Sequence, residues 1–139
     1  NKDGGISHFN SLGNDTADSS LRGGKDGPNY SKEHIETTCE KLKDKGLVSK
    51  VMVDFSHANS EKQFKNQLKV GANIAAQIEE GSESIFGVMI ESHINEGNQK
   101  VGPLPSLKYG ISITDSCIGW EDTESLLRDL AKSVKARNS

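Results

Sequence analysis

Leu47-Val48-Ser49-Lys50-Val51-Met52-Val53-Asp54-Phe55-Ser56-His57 is the stretch on which the fold turns. Val51, Met52, Val53 and Phe55 form a short, nearly continuous apolar run. Such a run is expected of a parallel strand buried on both faces, since an antiparallel strand with one wet face would alternate. The strand then ends abruptly in polar residues, with His57 just beyond it.

The same grammar repeats on either side. Upstream, Ser31 is a good helix N-cap, Ile35, Cys39 and Leu42 follow at helical spacing, and Gly46 ends the segment. Downstream, Ser60 and Gln63 have the spacing of a capping box, Phe64, Leu68, Ala72, Ala75 and Ile78 form one helical face, and Gly81 stops it. Ile85–Ile90 reads as a second buried strand. Residues 95–112 are punctuated by Gly97, Gly102, Pro103 and Pro105 and read as loop. Asp122 or Thr123 is placed to cap a last helix with Leu127, Leu130, Ala131 and Val134 inward, and Trp120 reads as its packing anchor. Alternation of helix and strand means βα units on a parallel sheet, hence an α/β fold, either barrel or doubly wound. Two clear strands, or three with a weak one at Leu21, cannot close a barrel.

Bulk composition sets further bounds. Of 139 residues only 32 % are hydrophobic and 14 are glycine, thin for a self-sufficient domain but less odd for a piece of a larger barrel with a shared core. The net charge of −3 comes from mixed signs without a basic stripe, so nucleic acid is not indicated. Apolar stretches such as Ile85–Ile90 are far too short to span a bilayer. Cys39 and Cys117 make no disulfide framework, and a reduced cytoplasmic protein is expected. Residues 1–20 are rich in Gly, Ser, Asn and Asp and are expected to be irregular, with 21–139 as the folded part. Residue 1 is Asn, so the natural N-terminus is expected to lie elsewhere, and no signal peptide is visible.

Three ionisable residues sit where parallel βα architectures place their chemistry, at the C-terminal ends of strands. They are His57, Glu91 at the end of Ile85–Ile90, and Asp115 before the last helix. One imidazole and two carboxylates suit a divalent ion of intermediate hardness, such as Mn²⁺, Fe²⁺, Co²⁺ or Zn²⁺. A polar strand end solvated by loops would look the same. Arg22-Gly23-Gly24-Lys25 would let a guanidinium and backbone approach a phosphate or carboxylate, although Gly-Gly is commonly just a turn. His93, His34 and His8 read as surface or loop residues.

Longer segments narrow the choice: Leu21-Arg22-Gly23-Gly24-Lys25 with Pro28-Asn29-Tyr30; Asp54 to Ser60; Gly87-Val88-Met89-Ile90-Glu91-Ser92-His93; Glu96-Gly97-Asn98-Gln99; and Tyr109 to Thr123. In order and spacing, from about Leu21 onward, they resemble the last third of type I 3-deoxy-D-arabino-heptulosonate-7-phosphate (DAHP) synthases of the microbial kind. The resemblance implies the sixth to eighth strands, with their helices, of a (β/α)8 TIM barrel. It implies condensation of phosphoenolpyruvate with erythrose 4-phosphate to DAHP and phosphate, the first step toward aromatic amino acids. It makes His57, Glu91 and Asp115 metal ligands, His57 and Asp115 catalytic, and Arg22 a phosphoenolpyruvate-binding residue. The family's cysteine ligand and most of its donor-binding cations match nothing here, and Cys39 and Cys117 do not correspond to that cysteine. Thr16-Ala17-Asp18-Ser19-Ser20 stand where the family has an apolar strand. Feedback by an aromatic amino acid and a homo-oligomer are implied for the full-length protein, and the fragment alone is expected to be inactive. The rival readings are another phosphoenolpyruvate-dependent synthase on the same barrel and a non-catalytic barrel remnant that binds a metal or a partner.

Overall fold

The computed structural model describes residues 18–139. The expectations for residues 1–17, including His8, lie outside the described residues. Three parallel strands, β1 (Ser19–Leu21), β2 (Val51–Asp54) and β3 (Ile85–Met89), stand side by side in chain order. Helix α1 (Lys32–Asp44) connects the first two and α2 (Asn66–Glu79) the second two; α3 (Trp120–Arg137) closes the chain. Leu21 pairs with Val53, and Val53 with Val88. The fold is therefore mixed α/β on a parallel sheet. Ser19 and Ser20, expected to be irregular, join the sheet: a central neighbour supplies the ladder bonds that weak propensity does not. No described helix is long and apolar enough to cross a membrane.

The core lies where the strands meet the helices. Val51, Val53 and Phe55 are completely buried and cluster with Ile35 and Cys39 of α1 and Val70, Ile74, Ala75 and Ile78 of α2. Burying a side chain such as Ile74 contributes roughly 1.5–3 kcal/mol. Met52, between the two valines, is only half-buried. The strand is thus covered on one face, not on both as its apolar run suggested. Leu47 and Val48 are 57 % and 71 % exposed and precede the strand.

Helix α1 begins and ends as its sequence indicates: the Ser31 side chain accepts from the His34 N–H, and Gly46 takes φ 69° just past the end. The other two helices differ from expectation. Ser60 and Gln63 form no capping box. α2 starts at Asn66, after a compact turn in which Ser60 is fully buried and donates its hydroxyl to the His57 carbonyl. The buried stripe of α2 runs through Gln67, Val70, Ile74 and Ile78, and Ala72 is exposed. α3 starts at Trp120 with Gly119 as N-cap, so neither Asp122 nor Thr123 caps it. Its inward residues are Thr123, Leu126, Leu130 and Ser133, whereas Leu127, Ala131 and Val134 face outward. Trp120 is 56 % exposed rather than the buried packing anchor expected.

Helices α2 and α3 approach closely because position 71 has no side chain. A Cβ on Gly71 would stand 2.3 Å from Leu126 Cδ1 and 3.0 Å from Phe55 Cε2. Gly71→Val is expected to destabilise the fold by about 1–3 kcal/mol through overpacking, although valine is the better helix former. Thermal unfolding followed by circular dichroism reads this as a lower Tm, and an unchanged or raised Tm would contradict the packing described.

Candidate metal centre

The turn Phe55–Lys65 between β2 and α2 builds the site. The Asp54 carboxylate is buried and accepts the Ser56 N–H at 2.8 Å through Oδ1. Its Oδ2 lies 2.7 Å from His57 Nδ1. The ring N–H does not aim at that oxygen, so Nδ1 has a close negative neighbour but no well-directed hydrogen bond. His57 itself takes φ 50°, a left-handed conformation uncommon for a residue with a Cβ. Its carbonyl accepts from the Lys62 N–H and the Ser60 hydroxyl, which hold it there.

Glu91 follows β3 and reaches the same place. His57 Nε2 is 3.8 Å from Glu91 Oε1, and Ser56 Oγ donates to Glu91 Oε2 at 2.5 Å. Both backbone groups of Glu91 are bonded to the side chain of Gln67. Asp115 arrives on the long loop, which pins itself. Asn98 Nδ2 donates to the Thr114 carbonyl, Gln99 Nε2 to the Lys108 and Ile111 carbonyls, and the Gly97 N–H to the Cys117 carbonyl. One ligand atom from each of His57, Glu91 and Asp115 lies within 4.8 Å of the others. A single ion bridges donors up to about twice a 2.0–2.3 Å bond apart, so a small closing motion would suffice. The donor set, one nitrogen and two carboxylates, fits a divalent transition ion.

Arg22 meets these residues at a cavity of about 490 Å³ whose wall also includes Gly23, His57, Lys62, Glu91 and Asp115. Asn59, only 2 % exposed, fixes the approach: its Nδ2 donates to the Leu21 and Asp54 carbonyls, and its Oδ1 accepts the Asn29 N–H. All four residues singled out in the sequence therefore line one cavity. Asp54, Ser56, Asn59 and Gln67 were not singled out. Their signal was polar residues interrupting a segment otherwise destined for burial. Cys39 is buried in the core, and His34 and His93 are exposed, as expected. Burial pushes the Cys117 thiol up; a hydrogen bond with Ser112 opposes this, and the charges of Glu91 and Asp115 reinforce it.

The model of the DAHP synthetase I family matches residues 5–128. The chain belongs to the DAHP synthetase I family. It is 55 % identical over 128 residues to the Phe-sensitive phospho-2-dehydro-3-deoxyheptonate aldolase of Escherichia coli K12, covering 92 % of this chain and 36 % of that protein. The tyrosine-inhibited aldolase of Schizosaccharomyces pombe is 52 % identical over 121 residues, covering 84 % of this chain and 32 % of that protein. The solved structure of the aldolase from Francisella tularensis SCHU S4 superposes with a TM-score of 0.87 at 45 % identity, over 94 % of this chain and 38 % of that one. The chain spans about a third of the length of the curated DAHP synthetase I relatives it matches.

Gly23 is the tightest point of the site. It takes φ 76°, and a Cβ there would lie 2.7–2.8 Å from Ala58 and from the Asn59 backbone nitrogen. Gly23→Ala is expected to push the Arg22 turn away from the His57 turn, lowering stability and disturbing the site together. Ligand-free structures of the variant should show the two turns separated, and an unmoved turn at wild-type Tm would refute the close approach.

Proposed function

We propose that this segment forms the sixth to eighth βα units of a (β/α)8 barrel in a metal-dependent DAHP synthase. There it contributes His57, Glu91 and Asp115 as metal ligands, with His57 and Asp115 catalytic, and Arg22 as a binding residue for phosphoenolpyruvate. The convergence of these four side chains on one cavity at the C-terminal ends of parallel strands carries the reading. Strand order 1-2-3 without reversal supports a barrel over a doubly wound sheet, whose order reverses at a switch point. Phe86, Leu127 and Val134 stay exposed at 43 %, 46 % and 38 %, which leaves apolar surface for further units to cover.

The reaction joins C3 of phosphoenolpyruvate to the aldehyde carbon of erythrose 4-phosphate, while water adds at C2 of the donor and phosphate leaves from it. Arg22 would hold the donor by charge-assisted hydrogen bonds to its carboxylate or phosphate, so that C3 faces the acceptor. When bound, a divalent ion supplies Lewis-acid polarisation of the aldehyde oxygen. The turn around His57 and the pinned loop around Asp115 keep the donor atoms in place before substrate arrives. Buried free cysteines agree with a cytoplasmic setting. The names of the relatives, Phe-sensitive and tyrosine-inhibited, support feedback by an aromatic amino acid in the whole enzyme, which we take to be a homo-oligomer.

The test is steady-state kinetics on the full-length enzyme containing this segment, with added Mn²⁺. Chelation should abolish turnover. His57→Ala and Glu91→Ala should each abolish it, whereas Arg22→Ala should chiefly raise KM for phosphoenolpyruvate. Wild-type turnover in His57→Ala would end the metal reading. The 139 residues alone should show no synthase activity and no sharp melt, because among the described residues both sheet edges are open. A cooperative high-temperature transition of the purified segment would contradict the shared-barrel reading.

A further inference from the structure

We infer that Gln67 is a positioning residue for the Glu91 carboxylate and thereby sets the metal affinity of the site. The inference rests on Glu91 being a metal ligand. Gln67 lies in the first turn of α2 and is completely buried, on a stripe where Val70, Ile74 and Ile78 are apolar. Its amide spends both polar ends on a single residue. Oε1 accepts the Glu91 N–H at 2.9 Å, and Nε2 donates to the Glu91 carbonyl at 3.0 Å. Two bonds to one residue, at its N–H and at its carbonyl, reproduce what a neighbouring strand would provide, two residues beyond the last residue of β3; the carbonyl also accepts the Ile118 N–H at 3.0 Å.

The consequence is directional. Fixing both the N–H and the carbonyl of Glu91 fixes the rotation of its backbone, and with it the Cα–Cβ vector. At the other end of the side chain, Ser56 Oγ holds Oε2 at 2.5 Å. The carboxylate is therefore restrained at both ends, leaving Oε1 facing His57 Nε2 at 3.8 Å. A buried amide is a poor packing group unless both its polar ends are satisfied, and here both are satisfied by the one residue whose orientation matters to the site. Groups that orient metal ligands typically change affinity by about 10- to 100-fold when removed.

The experiment uses the metal-free full-length enzyme and Mn²⁺ alone as probe, with free Mn²⁺ counted by electron paramagnetic resonance. Gln67→Met keeps length and bulk but loses both bonds; Gln67→Asn stays polar but cannot reach Glu91. Ile74→Val, two turns along the same helix and without a hydrogen bond to Glu91, controls for general loosening of α2. We expect the Kd for Mn²⁺ to rise about 10- to 100-fold in both Gln67 variants and to stay at the wild-type value in Ile74→Val. The line shape of bound Mn²⁺ should change in the Gln67 variants only. If Gln67→Met does not fold, Gln67→Asn decides. Wild-type Kd in a folded Gln67 variant, while Glu91→Ala has lost binding, overturns the role of Gln67 and leaves the metal reading standing. Wild-type Kd in Glu91→Ala overturns both.

Discussion

One buried nitrogen, Asn59 Nδ2, ties two strand ends together by donating to the Leu21 carbonyl at 3.0 Å and the Asp54 carbonyl at 2.8 Å. Arg22 follows the first of those residues directly, and His57 follows the second by three. The amide therefore sets how far the arginine stands from the histidine. Its Oδ1 takes the Asn29 N–H, and Asn29 in turn accepts the Gly23 N–H, so the Arg-Gly-Gly turn is fastened at two further points. Each bond contributes only about 0.5–1.5 kcal/mol net, but losing a partner in a buried site leaves polar groups unsatisfied at about 1–3 kcal/mol each. The arrangement is held by that asymmetry more than by the strength of any single bond.

The Phe55–Lys65 turn carries strain. His57, Glu61 and Lys62 all take positive φ, between 50° and 61°, without being glycine. Residues in such regions cost of order 1–3 kcal/mol each and persist only where surrounding contacts over-determine them. Here the contacts are visible: the Asp54 carboxylate on Ser56 and beside His57, the Ser60 hydroxyl and Lys62 N–H on the His57 carbonyl, and Asn66 Nδ2 on the Ser60 carbonyl. A turn this constrained fixes the direction in which the His57 side chain leaves the backbone.

Strands β2 and β3, helix α1, and His57 and Glu91 just past the strand ends were legible because each rests on local pattern: an apolar run, a stripe closed by glycine, an ionisable residue where the run stops; Asp115 instead arrives on the long loop. The start of α2 was not. Ser60 and Gln63 have capping-box spacing, but the backbone ahead of them was already engaged in the His57 turn, and a tertiary bond to the His57 carbonyl took the serine hydroxyl. The face of α3 was misread for a different reason. Leu126, Leu127, Leu130 and Val134 offer two overlapping stripes, and only the gap at Gly71 selects the one centred on Leu126. Gln67 was invisible because a helical stripe is recognised by its apolar members, and a buried amide satisfied by a strand end far along the chain has no local signature.

Strand alternation separates stability from chemistry in this segment. Val51, Val53 and Phe55 point to the helices and are fully buried, while Met52 and Asp54 point the other way. On β3 the corresponding face carries Gly87 and Met89, both half-buried, and continues in register to Glu91. Leu21 is buried with the core, so Arg22 falls on the opposite side. The helix-facing side closes on itself with the residues at hand. The other side has polar pairing at its end and half-covered methionines along its length, but among the described residues no layer completes it. Glu91 continues that less covered face, so its place in the cluster with His57 and Asp115 is set by polar side chains such as Ser56 and Gln67 rather than by the apolar core.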